Sequence, residues 1–242
     1  MKIPKRAKLS DITPEMMKRN VSKTHSQTIF PCNISELEEV MIDKETGYIK
    51  SISIEALMGA GITMDQIRWF MHVHGLYTFP TTELIDWLKS IIDPDSCIEI
   101  CAGTGWIGRE LDIISTDSQS QADSEVATTY LSNGVIPIIY PDDVEKLTAV
   151  EAIKKYRPKY VIGSYVTAKY GTSGANYGSI FGVNTKWVSN NCGMFIMIGN
   201  ENIHSKDSIM KTPHKTYEFP WLITRGDTSK ARIYVWERKN WK

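Results

Sequence analysis

One stretch of 21 residues constrains the fold of this chain more than any other. It covers residues 97–117 and reads C-I-E-I-C-A-G-T-G-W-I-G-R-E-L-D-I-I-S-T-D. Apolar residues at its start predict a short strand, a G-x-G-x-x-G pattern leads from it into a helix, and a second strand ends in a carboxylate. Because glycines let a backbone lie close against a ligand, the stretch predicts a nucleotide-binding turn between two strands.

Two acidic residues around this turn indicate the charge of the ligand. In a dinucleotide site, helix N–H groups face a pyrophosphate and the acid that binds the ribose lies ~20 residues beyond the glycines. Here Asp117 follows Gly103 by 14 residues, and Glu99 lies in the first strand. The Glu99 carboxylate would repel a pyrophosphate and attract a cation. The pattern favours a cationic ligand, and a flavin, NAD or a purely structural turn are the alternatives.

These residues resemble the first motif of the class I S-adenosylmethionine (SAM)-dependent methyltransferases, which has an acid in strand one, then G-x-G, then an acid closing strand two. SAM carries a sulfonium, an α-ammonium and a ribose diol but no phosphate. The resemblance implies that Glu99 lines the methionine end of SAM and that Asp117 holds the ribose hydroxyls. It also implies that Gly103 and Gly105 pass under the nucleoside. We predict that Cys101, between strand one and the glycines, contacts the cofactor too.

Two further segments resemble cofactor-binding parts of related enzymes. After a predicted third strand, Asp143 and Val144 match an acid that accepts from the adenine amino group and an apolar residue beside the ring. Upstream, Tyr77, Thr78 and Thr81 resemble the aromatic-Thr-Pro turn of adenine-N6 DNA methyltransferases, which contacts the methionine end of SAM. Helix capping is the alternative role for Asp143 and Thr81.

Residues after the fourth and fifth predicted strands are candidates for the methyl acceptor site. The DNA enzymes have Asp/Asn-Pro-Pro-aromatic after the fourth strand, whereas residues 162–167 of this chain read I-G-S-Y-V-T, which argues against methylation of a base amino group. We predict that Tyr165 and His204 are catalytic, with the imidazole as a proton acceptor, although lone histidines commonly have structural roles. The predicted acceptor-binding residues are Ser164, Thr167, Tyr170, Tyr177 and Asn200.

Residues 169–182 contain four glycines and two tyrosines. This composition predicts a loop that covers the site, and an ordinary surface loop is the alternative. His72 and His74 are two residues apart on a predicted helix and point in different directions, so no metal site is predicted.

Composition and charge limit the protein class. The chain has 242 residues, of which 42% are hydrophobic and 23% charged, as in a globular protein. Its 28 basic residues balance its 28 acidic ones, although both ends are basic, so nucleic acid is a possible partner that the balance does not favour. The four cysteines form no C-x-x-C pair, which suits the cytoplasm, and no apolar run is long enough for a membrane span.

Strand and helix patterns alternate along most of the chain. The strands predicted after the second one cover residues 135–140, 160–166, 194–198, 217–224 and 231–237, and the last two form a hairpin. This order predicts an α/β, Rossmann-like methyltransferase fold with a mostly parallel seven-stranded sheet and a C-terminal antiparallel hairpin. We expect residues 76–242 to form the SAM-binding domain and residues 1–75 a helical N-terminal extension.

These observations predict a SAM-dependent methyltransferase that aligns an acceptor atom with the sulfonium methyl for in-line displacement. The alternatives are a DNA- or RNA-modifying enzyme that uses the basic termini, and a catalytically inactive SAM-binding module. A dinucleotide oxidoreductase ranks last because of Glu99.

Overall fold

The structure is a computed structural model that describes residues 31–132, 134–171, 178–238 and 241. It also describes the backbone of a short antiparallel pair, Lys23–Thr24 with Gln27–Thr28. Within the described parts of the chain, no helix is long and apolar enough to cross a membrane.

A seven-stranded sheet forms the centre of the molecule. Its strands, numbered here in chain order, are β1 (Cys97–Ile100), β2 (Ile114–Asp117), β3 (Val144–Lys146), β4 (Tyr160–Ser164), β5 (Met194–Asn200), β6 (Lys215–Tyr217) and β7 (Ala231–Glu237). Their order across the sheet is β3-β2-β1-β4-β5-β7-β6. The first five strands are parallel, and β7 is antiparallel to both β5 and β6. The prediction of a Rossmann-like methyltransferase fold is confirmed.

Nine α-helices accompany the sheet in the described residues. They are α1 (Ser35–Met41), α2 (Ile54–Gly59), α3 (Met64–Val73), α4 (Thr82–Ile91), α5 (Trp106–Leu111), α6 (Ser124–Ser132), α7 (Ala149–Tyr156), α8 (Thr185–Asn190) and α9 (Glu201–His204). Thr63 and Thr81 cap α3 and α4 through their side chains, and for Thr81 this is the alternative role given above.

Alternate residues of the central strands enter two separate apolar cores. Ile196 and Ile198 of β5 pack in a core that includes residues of α3, α4 and α5. Phe195 and Met197, which point to the other face, pack with residues of α7 and α8. The sheet is therefore covered on both faces, which accounts for the nearly continuous apolar character of its parallel strands.

The helices that precede the sheet share its first core. Leu37, Met41 and Leu57 are buried in the same cluster as Ile196 and Ile198. The division of the chain at residue 75 stays a prediction, and the cores on its two sides are continuous.

Two predicted elements lie elsewhere. The third strand is Val144–Lys146, not residues 135–140, which have no strand structure and instead lie against the glycine turn. Pro137 has no N–H group for a sheet ladder, and the N–H group of Ile138 donates to Oε1 of Gln121. The sequence also predicts a helix over residues 145–156, and this helix begins later, at Ala149, after a capping box formed by Thr148.

The closing strand pair also has different bounds. Its first strand is Lys215–Tyr217, and residues 218–230 form a long connection to β7 instead of a tight turn. Within this connection, Thr224 forms an isolated bridge with Thr78, which brings the loop back to the carboxyl ends of the parallel strands.

Candidate functional site

A cavity of about 460 Å³ opens at the carboxyl ends of β1, β2 and β4. Ligands of open α/β sheets bind at this edge of the sheet. The predicted site residues that line the cavity are Tyr77, Glu99, Cys101, Gly103, Asp117, Ser164, Tyr165 and Thr167. The fold thus brings together residues from four separate parts of the chain.

Glu99 is fully buried at the base of this cavity. Its Oε2 atom accepts hydrogen bonds from the N–H group of Gly108, at 3.0 Å, and from the Ser115 hydroxyl, at 2.8 Å. Burial raises the pKa of the Glu99 carboxyl to about 8, although both hydrogen bonds and the nearby Arg109 act in the opposite direction. Desolvation disfavours the charged form, so burial favours the protonated carboxyl.

Asp117 ends β2 and touches the glycine turn directly. Its Oδ2 atom accepts from the N–H group of Gly103 at 3.1 Å, and its Oδ1 atom accepts from the N–H group of Gln119 at 2.7 Å. Tyr140 also donates a side-chain hydrogen bond to this carboxylate. Burial raises the pKa of Asp117 despite these three donors. The second carboxylate of the motif therefore faces the cavity beside the turn, as its position in the sequence predicts.

Three residues near the strand ends at this edge have positive φ angles that residues with side chains rarely adopt. They are Cys101, Gln119 and Tyr165, with φ of 54°, 56° and 54°. Such conformations persist only where the surrounding structure imposes them, and they are frequent at functional sites. Burial raises the pKa of the Cys101 thiol, so this cysteine is a neutral part of the cavity wall.

Gly108 allows α5 to approach the two strands below it. A Cβ atom at this position would lie 1.9 Å from Oγ of Ser115 and 3.1 Å from Oε2 of Glu99. The third glycine of the motif is therefore required for packing and for the hydrogen bond to Glu99.

Replacement of Gly108 by alanine is expected to lower the free energy of unfolding by about 2 kcal/mol, because the new methyl group must push Ser115 away from Glu99. Urea unfolding measures the change. Gly59→Ala is the control, since a Cβ atom there meets nothing within 4 Å and α2 gains a better helix former. Equal stability of Gly108→Ala and the wild type would contradict the packing described here.

The opposite wall of the cavity contains hydroxyl and aromatic groups. The hydroxyls of Thr78 and Ser164 are 2.8 Å apart, and the rings of Tyr77 and Tyr165 have centroids 5.4 Å apart. The Tyr165 hydroxyl donates to the backbone carbonyl of Arg225, and burial raises the pKa of Tyr165 to about 12. Tyr165 is therefore a protonated phenol at neutral pH and does not act as a base in this state.

Arg225 is a cavity residue that the sequence predictions missed. Its guanidinium donates from Nε to the carbonyl of Leu76, at 2.6 Å, and from Nη2 to the carbonyl of Met71, at 3.1 Å. The same group lies 4.1 Å from the centre of the Tyr77 ring. Because its partners are about 150 positions away in the sequence, no local pattern identifies this residue.

Other predicted site residues do not line the cavity. They are Thr81, Gly105, Asp143, Val144, Tyr170, Asn200 and His204, and Tyr177 lies outside the described residues. Asp143 accepts two hydrogen bonds from Arg109, and Val144 is buried beneath Gly105. Their predicted contacts with adenine stay predictions.

Asn200 and His204 lie behind the cavity wall. The Asn200 amide donates to the carbonyl of Asp227 at 2.8 Å and its oxygen caps α9. The His204 imidazole is buried against Gly199 and edge-on to the ring of Tyr165, with centroids 5.2 Å apart. These contacts support Tyr165 from behind, and the proposed proton transfer to His204 stays a prediction.

Of the comparisons with known proteins, only the one with solved structures finds chains similar to this one. No family model matches it. No curated protein matches it. Among solved structures, it is similar to an rRNA methylase from Streptococcus thermophilus, with 12% sequence identity, a TM-score of 0.36, and coverage of 64% of this chain and 93% of that chain.

Proposed function

We propose that this protein is a SAM-dependent methyltransferase of class I. The observation that supports this most strongly is the pair of buried carboxylates, Glu99 and Asp117, on either side of a glycine turn at the carboxyl edge of a methyltransferase-type sheet. Buried carboxylates are costly unless they bind a partner, and a ligand that offers a cation at one end and hydroxyls at the other satisfies both.

The charges and donors in the cavity fit SAM. Both hydrogen bonds to the Glu99 carboxyl reach Oε2, so Oε1 is the oxygen available to an ammonium or sulfonium group. Asp117 already accepts from Gly103, Gln119 and Tyr140, out of about four lone-pair sites. One ribose hydroxyl would take the remaining site, and the second would replace the Tyr140 hydroxyl.

The size of the cavity supports the same ligand class. Pockets for small molecules and cofactors have volumes of about 300–1,000 Å³, and this cavity has about 460 Å³. Bound SAM would supply a methyl group on a positively charged sulfur. The protein's part is to hold that ligand through Glu99 and Asp117 and to orient the acceptor against the wall formed by Tyr77, Ser164 and Tyr165.

We expect the purified wild-type protein to bind one equivalent of S-adenosylhomocysteine (SAH) in isothermal titration calorimetry, because SAH retains the ammonium and the ribose diol. NAD is the comparison ligand, since its pyrophosphate would face the Glu99 carboxyl. NAD binding with no heat from millimolar SAH would reject the proposal in favour of a dinucleotide enzyme. If neither ligand gives a heat of binding, the proposal is rejected as well.

A further inference from the structure

A partly buried cation in the cavity wall has no role in the cofactor binding proposed above. Arg225 belongs to the connection between β6 and β7, and its side chain lines the cavity. Two of its nitrogens donate to the backbone carbonyls of Leu76 and Met71, which hold the guanidinium in place. The group is thus positioned by the fold and is not a flexible surface arginine.

The charge of this guanidinium is not neutralised by the residues around it. Within the described residues, no carboxylate forms an ion pair with Arg225. The ionisable groups near it are the phenols of Tyr77, Tyr130 and Tyr165, and the Tyr77 hydroxyl accepts a hydrogen bond from it. Burial and then Arg225 lower the pKa of the neighbouring His72 to about 4, so this imidazole is neutral. A partly desolvated cation without a counter-charge is unfavourable, and an anionic ligand group reduces that cost.

Arg225 lies apart from the two carboxylates of the predicted cofactor site, although Tyr77, over whose ring it lies, is itself a predicted cofactor contact. Glu99, Gly103 and Asp117 lie on β1, β2 and the turn between them, whereas Arg225 contacts Tyr165, which follows β4. The charged groups that most affect the pKa of Glu99 are Arg109 and Asp117. Arg225 lies beside the Tyr77 and Tyr165 rings, and Tyr165 is a predicted acceptor-site residue.

We propose that Arg225 binds an anionic group, a carboxylate or a phosphate, of the methyl acceptor. This inference rests on the proposed methyl transfer for the identity of the ligand. Arginine presents a planar fork that pairs with both oxygens of such an anion, and the ring of Tyr77 keeps one face of the fork covered. The tyrosines beside it would contact the remainder of the acceptor.

Inorganic phosphate and acetate are suitable probes of this site. Each is titrated into the SAH-saturated wild-type protein in place of chloride at constant ionic strength, with calorimetry and thermal melting as readouts. We expect saturable binding of at least one probe in the millimolar range. Arg225→Gln should weaken it at least tenfold, and Arg225→Lys should weaken it less because the charge remains. Arg238→Gln, which removes an exposed guanidinium, should leave it unchanged.

Several outcomes would overturn the inference. They are an absence of anion binding to the wild type, equal binding to Arg225→Gln, and competition between phosphate and SAH. The first and third need no variant, so they decide the question even if the substitutions prevent folding. A tenfold loss of SAH affinity in Arg225→Gln, with unchanged affinity for 5′-methylthioadenosine, would assign the guanidinium to the SAM carboxylate and would also overturn it.

The inference and the proposed function fail in different ways. If SAH and 5′-methylthioadenosine do not bind the wild type, the methyltransferase proposal fails, and the acceptor assignment fails with it. If phosphate still binds in that case, and binding depends on Arg225, then Arg225 forms an anion site that has a different function. If SAH binds and neither anion does, the methyltransferase proposal stands and the anionic acceptor is rejected.

Discussion

Replacement of Asp117 by asparagine is expected to weaken SAH binding about 100-fold. A carboxylate at this position accepts from Gly103 and Gln119 through different oxygens, and asparagine keeps only one of them. In the proposed complex the same carboxylate also accepts from the ribose diol. Hydrogen bonds to a charged acceptor are roughly twice as strong as neutral ones, so the loss of charge and of an acceptor is worth about 2–3 kcal/mol. Calorimetry with SAH measures the change.

Two nucleosides, one with and one without the ribose hydroxyls, show whether Asp117 binds the sugar or only stabilises the glycine turn. The wild type should prefer adenosine to 2′,3′-dideoxyadenosine, and Asp117→Asn should lose most of that preference. Asp112→Asn is the matched control, because Asp112 is exposed at the end of α5 in a left-handed conformation that asparagine tolerates. An equal loss of affinity for both nucleosides would show that Asp117 acts on the glycine turn alone.

The cofactor half of the candidate site was predictable because it is local in the chain. Glu99 and Asp117 belong to one strand-turn-helix-strand unit, so short patterns of apolar residues and glycines determine their order and approximate spacing. Parallel pairing of β1 with β2 then brings both carboxylates to one edge of the sheet. The alternation of strands and helices farther along the chain predicted the sheet type for the same reason.

The other half depends on contacts between distant segments. Residues 135–140 have the apolar, β-branched composition of a strand, but this composition equally suits a segment that packs over a cavity, as Ile138 does beside Gly103. Arg225 reaches the carbonyl of Leu76 across 149 positions, through a connection whose length the sequence did not indicate. Asn200 and His204 follow the predicted strand, yet both lie behind Tyr165, outside the cavity. Tertiary packing decides each of these placements.

Affinity for SAH is expected to fall roughly 80-fold between pH 8.5 and pH 6.0. Burial raises the pKa of the Glu99 carboxyl to about 8 in the ligand-free protein. Below this pH the carboxyl is mostly protonated and neutral, whereas the ammonium of SAH requires the ionised form. Each unit of pH below the pKa therefore lowers the apparent affinity about tenfold, and the dependence flattens above it.

Proton release identifies Glu99 as the source of this pH dependence. At pH 6.0, binding of SAH to the wild type should release about one proton, which calorimetry detects as a heat that changes with the ionisation enthalpy of the buffer. Glu99→Gln keeps an oxygen that accepts from Gly108 and Ser115 but does not titrate, so its SAH affinity should be low and nearly independent of pH. Glu125→Gln, at an exposed position of α6, should behave as the wild type. If the SAH affinity of Glu99→Gln still depends on pH, a group other than Glu99 titrates. Asp117 is the next candidate, because burial also raises its pKa.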